Sequence, residues 1–106
     1  MKAGQIISII DELKENVIND EIKLAWLNEV EGRVNIEIHK REPEKQKVLV
    51  SLSDDVSVPE PFSRMYVLYL HAMIAFWEGN YDAFSTIFVE FEKVLTEYSR
   101  FLIRSR

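Results

Sequence analysis

Residues 61–80 read PFSRMYVLYLHAMIAFWEGN and residues 81–103 read YDAFSTIFVEFEKVLTEYSRFLI. The first stretch is apolar on almost every side, broken only by Ser63, Arg64, His71 and Glu78. A helix with no broad polar face is one that packs on more than one partner. Its apolar centre, Met65 to Trp77, is 13 residues long and contains His71, too short for the ~20 residues of a membrane span. Pro61 suits the first turn of this helix. Gly79 suits the position just past its end, and Asn80 suits the N-cap of the next helix. The spacing therefore predicts a tight αα-hairpin. In the second stretch Phe84, Phe88, Phe91, Leu95, Tyr98 and Leu102 fall on one stripe, widened by Ile87, Val94 and Phe101. Ser85, Glu92, Lys93, Thr96, Ser99 and Arg100 lie largely opposite. Of the 12 aromatic residues, 11 lie between Phe62 and Phe101, so these two helices are expected to supply most of the core.

Two further helices precede the hairpin. Asn19 is a good N-cap, and Asp20 and Glu21 place acids in the first turn that follows. Ile22, Ala25, Trp26, Val30, Val34 and Ile38 then recur at helical intervals, giving a helix over about 20–40 that packs on the hairpin through Trp26. Gly32 sits in its middle, where glycine costs ~1 kcal/mol relative to alanine. A close approach by another helix, rather than a kink, is expected there. Upstream, Ile6, Ile9, Ile10, Leu13 and Val17 predict a short helix over about 5–15, weak in propensity and held by packing.

Residues 41–60 differ in character. A charged run with Pro43 leads into Val48, Leu49, Val50 and Leu52, which read as strand-like, and Asp54, Asp55, Pro59 and Pro61 end the run. Loops this long are uncommon in compact domains. The expectation is an extended loop or β-hairpin arm that needs a partner, since a lone hairpin is marginal in water. The fold class is mainly α: one domain over 1–106, a bundle of about four helices with this arm between the second and third.

At 106 residues, with 47% hydrophobic and 29% charged side chains and only 3 Gly and 3 Pro, the chain is one folded domain and not a disordered or collagen-like segment. It has no cysteine, which excludes disulfides, thiolate metal sites and a cysteine nucleophile. The opening MKAGQIISIIDELK reaches Asp11 and Glu12 after a short apolar stretch and does not read as a signal peptide. The net charge is −5, which argues against general or sequence-specific nucleic-acid binding. The charge is also polarised. Residues 54–92 hold seven acids and one base, Arg64, whereas residues 93–106 hold four bases (Lys93, Arg100, Arg104, Arg106) and one acid. Such a chain suits end-on docking to something acidic or head-to-tail contact with copies of itself, although the helix dipole alone also favours cations at a C-terminus.

No catalytic constellation stands out, and no enzyme activity, metal or cofactor is expected. His39 and His71 are far apart in sequence and neither has a metal-ligand spacing. Asp11, Glu12 and Glu15 resemble half of the magnesium-binding helix pair of all-α nucleotide pyrophosphohydrolases, but the facing acidic pair is missing. The three glycines, Gly4, Gly32 and Gly79, make no phosphate loop.

Two stretches resemble a known family. Residues 20–34, DEIKLAWLNEVEGRV, are similar to a D-E-x-K-x-x-W-L-x-E-x-x-G-R-[IV] pattern. Val58-Pro59-Glu60-Pro61-Phe62, then Met65-Tyr66, Tyr69-Leu70 and Ala72, then Glu78-Gly79-Asn80-Tyr81, resemble a V-P-x-P-[YF]-x-x-x-Y-x-x-Y-L-x-A segment and its glycine turn. The family is the head–tail connector, or adaptor, proteins of tailed bacteriophages and prophages. The chain departs from it after the turn, where Asp82-Ala83-Phe84-Ser85-Thr86 replaces a polar Asn-rich run. The resemblance implies a mostly helical virion protein that assembles, in host cytoplasm, as a homo-oligomeric ring of roughly a dozen copies beneath the portal. Its partners would be itself, the portal and the tail-completion proteins, and the ring would form part of the DNA conduit. Val48, Val50 and Leu52 on the arm and Arg100, Arg104 and Arg106 at the basic end are the expected subunit or portal contacts. The alternative is a small non-enzymatic regulatory module that binds a partner protein through the same features.

Overall fold

Asn80 ends one helix contact and starts the next. Its N–H donates to the carbonyl of Ala75 (2.9 Å), and Gly79 N–H donates to Phe76 (3.0 Å), the paired bonds of a Schellman motif. Gly79 adopts φ +80°, which a residue without Cβ reaches at no steric cost. The Asn80 side chain then accepts from Ala83 N–H (3.2 Å). The result is the expected αα-hairpin in a structure, a computed structural model, that describes residues 1–105. Its four helices are α1 (Ala3–Leu13), α2 (Asp20–Arg33), α3 (Arg64–Trp77) and α4 (Tyr81–Arg104). The 24 residues of α4, at 1.5 Å each, account for most of the 40 Å long axis.

The fold is mainly α, with no strand among the described residues. The core lies where α1, α2 and α3 meet, covered by α4. Ile6, Ile10, Leu27, Val30, Val34, Met65, Tyr66, Leu70 and Ile74 are fully buried, and Phe91, Val94, Leu95 and Tyr98 close the α4 side. Trp26 meets Trp77 edge-on at 6.4 Å between ring centroids, which fixes α2 against α3 as expected.

Three local expectations are corrected. Pro61 does not open α3. It lies three residues ahead, after a cis Glu60–Pro61 peptide, because the carbonyls of Pro59, Phe62 and Ser63 accept i+3 amides at 3.0–3.1 Å and hold the chain in tight turns until Arg64. No helix crosses at Gly32. A Cβ there would meet only the Gln46 side chain, at an ordinary 3.6 Å. Instead α2 widens into a π-helical turn, Val34–Ile38, which carries the helical path almost as far as predicted.

The third correction concerns residues 41–60. The stretch holds one 3₁₀ turn, Pro43–Lys45, and no hairpin. It lies along the body as a strap. Ala3 and Gly4, at the start of α1, donate their N–H groups to the carbonyls of Asp54 (2.9 Å) and Leu52 (2.8 Å), and Val56 N–H donates to Met1 (3.0 Å). The first amides of a helix have no partner within it, and here the strap supplies one. Gly4 eases this approach, since a Cβ would stand 3.1 Å from the Leu52 carbonyl oxygen, a tight contact that would press the strap outward by a few tenths of an ångström.

Candidate functional site

The strap is held by polar side chains of α2. Asn28 donates its amide to the Leu49 carbonyl (2.9 Å) and accepts from Leu49 N–H (2.7 Å), so one side chain takes the place of a strand partner. One turn further, the fully buried Glu31 accepts from Ser57 N–H (3.0 Å) and Ser57 Oγ (2.6 Å), and also from the Tyr66 hydroxyl. Val58 N–H donates to that same hydroxyl at 3.1 Å. In place of a second strand, several of the strap's backbone groups are bonded to side chains of α2 and α3 and to the start of the chain. Asp54 closes the outer bend by accepting from Val50 N–H (2.7 Å) and Ser51 N–H (3.0 Å), bonds that hold its carboxyl below its usual range.

α2 is consequently engaged on three sides. At about 100° per residue, Leu24, Asn28 and Glu31 form one stripe facing the strap. Trp26, Glu29 and Arg33 lie on the opposite side and face α3 and α4. Glu29 accepts from the Tyr69 hydroxyl (2.5 Å), and Arg33 forks onto Glu92 (2.7 and 3.4 Å). Lys23, Leu27, Val30 and Val34 point between these faces. The buried Lys23 ammonium is met by Asp11 of α1 at 2.5 Å, which occupies one carboxylate of the Asp11, Glu12 and Glu15 group. Among the described residues no group of three or more His, Asp or Glu side chains could hold a metal ion.

The strap divides its apolar residues. Leu49 is 2% exposed and Val50 is 80% exposed. Val48, Val50 and Leu52, the three expected contact residues, all keep much of their surface in water. Val50 and Leu52 line an open apolar groove of about 340 Å³ with Leu24, and Asp20 and Glu21 stand at its edge. At the far end of α2, the basic residues Arg100 and Arg104 are exposed on the last turns of α4, beside half-exposed Phe101 and exposed Ile103. Arg106 lies outside the described residues. A third exposed patch, Phe76, Trp77 and Tyr81, surrounds the α3–α4 turn.

The acids of 54–92 do not form one open negative surface. Asp55 faces Lys2 (3.8 Å), Glu78 faces Lys14 (3.3 Å), Glu90 faces Lys93 (3.2 Å) and Glu92 holds Arg33. His39 Nε2 lies 2.7 Å from the Tyr98 hydroxyl, and burial, reinforced by Arg41, lowers its pKa. Burial and Lys14 do the same for His71. Burial, with Glu31 alongside, pushes the Tyr66 phenol up and keeps it a neutral donor.

Asn28 and Glu31 were not singled out from the sequence, where short polar residues on a helix read as a solvated face. The available signal was their alignment with Leu24 on one stripe beside the apolar one. Compared with known proteins, the chain matches no family model, no curated protein and no solved structure. No helix among the described residues is long and apolar enough to cross a membrane.

Proposed function

We propose that this chain is a head–tail connector, or adaptor, subunit of a tailed phage or prophage, which assembles as a ring beneath the portal and forms part of the DNA conduit. The observation that carries the reading is how the two resembling stretches interlock. Trp26 and Glu29 of the first meet Trp77 and Tyr69 across α2 and α3, and Val58 of the second is bonded to Tyr66 within it. The residues behind the resemblance therefore build one shared scaffold, while the strap's Val48, Val50 and Leu52 and the basic Arg100 and Arg104 are left for other molecules.

Sedimentation over a concentration series, followed by negative-stain imaging with and without the portal protein of the same genome, tests this. Ring-shaped particles, alone or on the portal, are expected. Discrete dimers that ignore the portal would overturn the proposal in favour of a partner-binding module.

A further inference from the structure

We propose that the groove formed by Leu24, Val50 and Leu52 receives the last turns of α4 from a second copy of this chain, so that subunits join head to tail. The inference rests on the ring reading above for the closure of the assembly, and it assigns the basic end to the neighbouring subunit instead of the portal.

The two surfaces complement each other in charge and in character. The groove is apolar, with the carboxylates of Asp20 and Glu21 at its edge. The helix end offers exposed Ile103 flanked by Arg100 and Arg104, while Phe101 points to another side and packs on Phe62 at 5.2 Å. None of these four charged residues makes an ion pair among the described residues, whereas most acids between 54 and 92 are already paired. Apolar contact then removes water around the charges, which strengthens their attraction and sets the register.

Their placement dictates the kind of assembly. The groove lies at the Asp20 end of α2, and the α4 end lies near the other, where His39 meets Tyr98 at 2.7 Å. The helical path between them is roughly 25 Å at 1.5 Å per residue. One protomer cannot join its own two surfaces, and two protomers need use only one of each. Such unlike surfaces give heterologous contacts, which continue until rotation closes a ring.

The experiment uses full-length chains. In one variant the groove charge is reversed (Asp20→Lys with Glu21→Lys), and in the other the helix end is reversed (Arg100→Glu with Arg104→Glu). Circular dichroism and melting curves verify the fold of each. Val50→Lys, at an exposed position outside any helix, blocks the groove independently if the first pair disturbs α2. Each variant alone is expected to self-associate at least tenfold more weakly than the unaltered chain. An equimolar mixture of the two is expected to assemble beyond a pair of 12.5 kDa chains, because the native groove meets the native helix end and the reversed groove meets the reversed end. The chain carrying all four reversals regains self-association.

Variants that associate like the unaltered chain, or a mixture that yields no complex, overturn the head-to-tail assignment. The ring reading survives that outcome if the unaltered chain still forms rings on the portal. Loss of portal binding by the Arg100/Arg104 variant with self-association intact overturns the assignment in the same way. An unaltered chain that never pairs with itself, in solution or on the portal, removes both.

Discussion

The hydroxyl of Tyr66 donates to the Glu31 carboxylate inside the core, and the same hydroxyl accepts from Val58 N–H at 3.1 Å. One phenol thus ties α2, α3 and the strap together. Glu31 also serves Ser57 through two further bonds, so its removal orphans several buried donors at once.

Glu31→Leu is therefore expected to destabilise the fold by about 2–4 kcal/mol, chiefly through unsatisfied donors at Ser57 and Tyr66. Glu31→Gln, which keeps an acceptor oxygen, should lose less. Urea unfolding of the two variants checks the order, and equal losses would contradict it.

Asn28→Ala should loosen the strap more than the body. It strips Leu49 of both side-chain bonds, a cost of roughly 1–2 kcal/mol. Hydrogen exchange should quicken at Leu49 while core amides of α3 change little. Asn28→Asp, able to accept from Leu49 N–H but not to donate, should fall between the two.

The histidines give a pH dependence of definite sign. His39 and His71 both have pKa values below their ordinary 6.5 in the folded chain. The unfolded chain then binds more protons as pH falls past 6.5, so stability drops on acidification between that value and the lowered folded values. Melting temperature should decline from pH 7.5 toward pH 5, and His39→Gln combined with His71→Gln should flatten that part of the curve.

Gly79→Ala should cost about 1 kcal/mol, entirely through backbone conformation, since φ is +80° and nothing lies within 4 Å of the added Cβ. Gly4→Ala should also destabilise, by pressing on the Leu52 carbonyl instead. Hydrogen exchange at residues 52–56 separates the two, because only the second should loosen the strap.

The helices were legible because their ends are written in local chemistry. Asn19, Gly79 and Asn80 sit where caps belong, and the α4 stripe repeats cleanly. The strap was not legible. Val48, Leu49, Val50 and Leu52 have strand-like composition, but their backbone partners are the side chains of Asn28 and Asp54 and the open start of α1, all remote from any strand-pairing pattern. Gly32 misled for a similar reason, since the helix beyond it answers by widening at Val34 and not by admitting a neighbour. Of the expected contact residues, Val48, Val50, Leu52, Arg100 and Arg104 do reach the surface, but the groove that joins Val50 and Leu52 to Leu24 depends on tertiary packing.

A helix gripped along three sides behaves as a strut. Load applied to a protomer at the Asp20 end of α2 is braced on every side but the solvent face of Ala25 and Ile36, and it passes lengthwise toward His39. The π turn at Val34–Ile38, with its looser winding, is the place along that rod where compression would first be taken up.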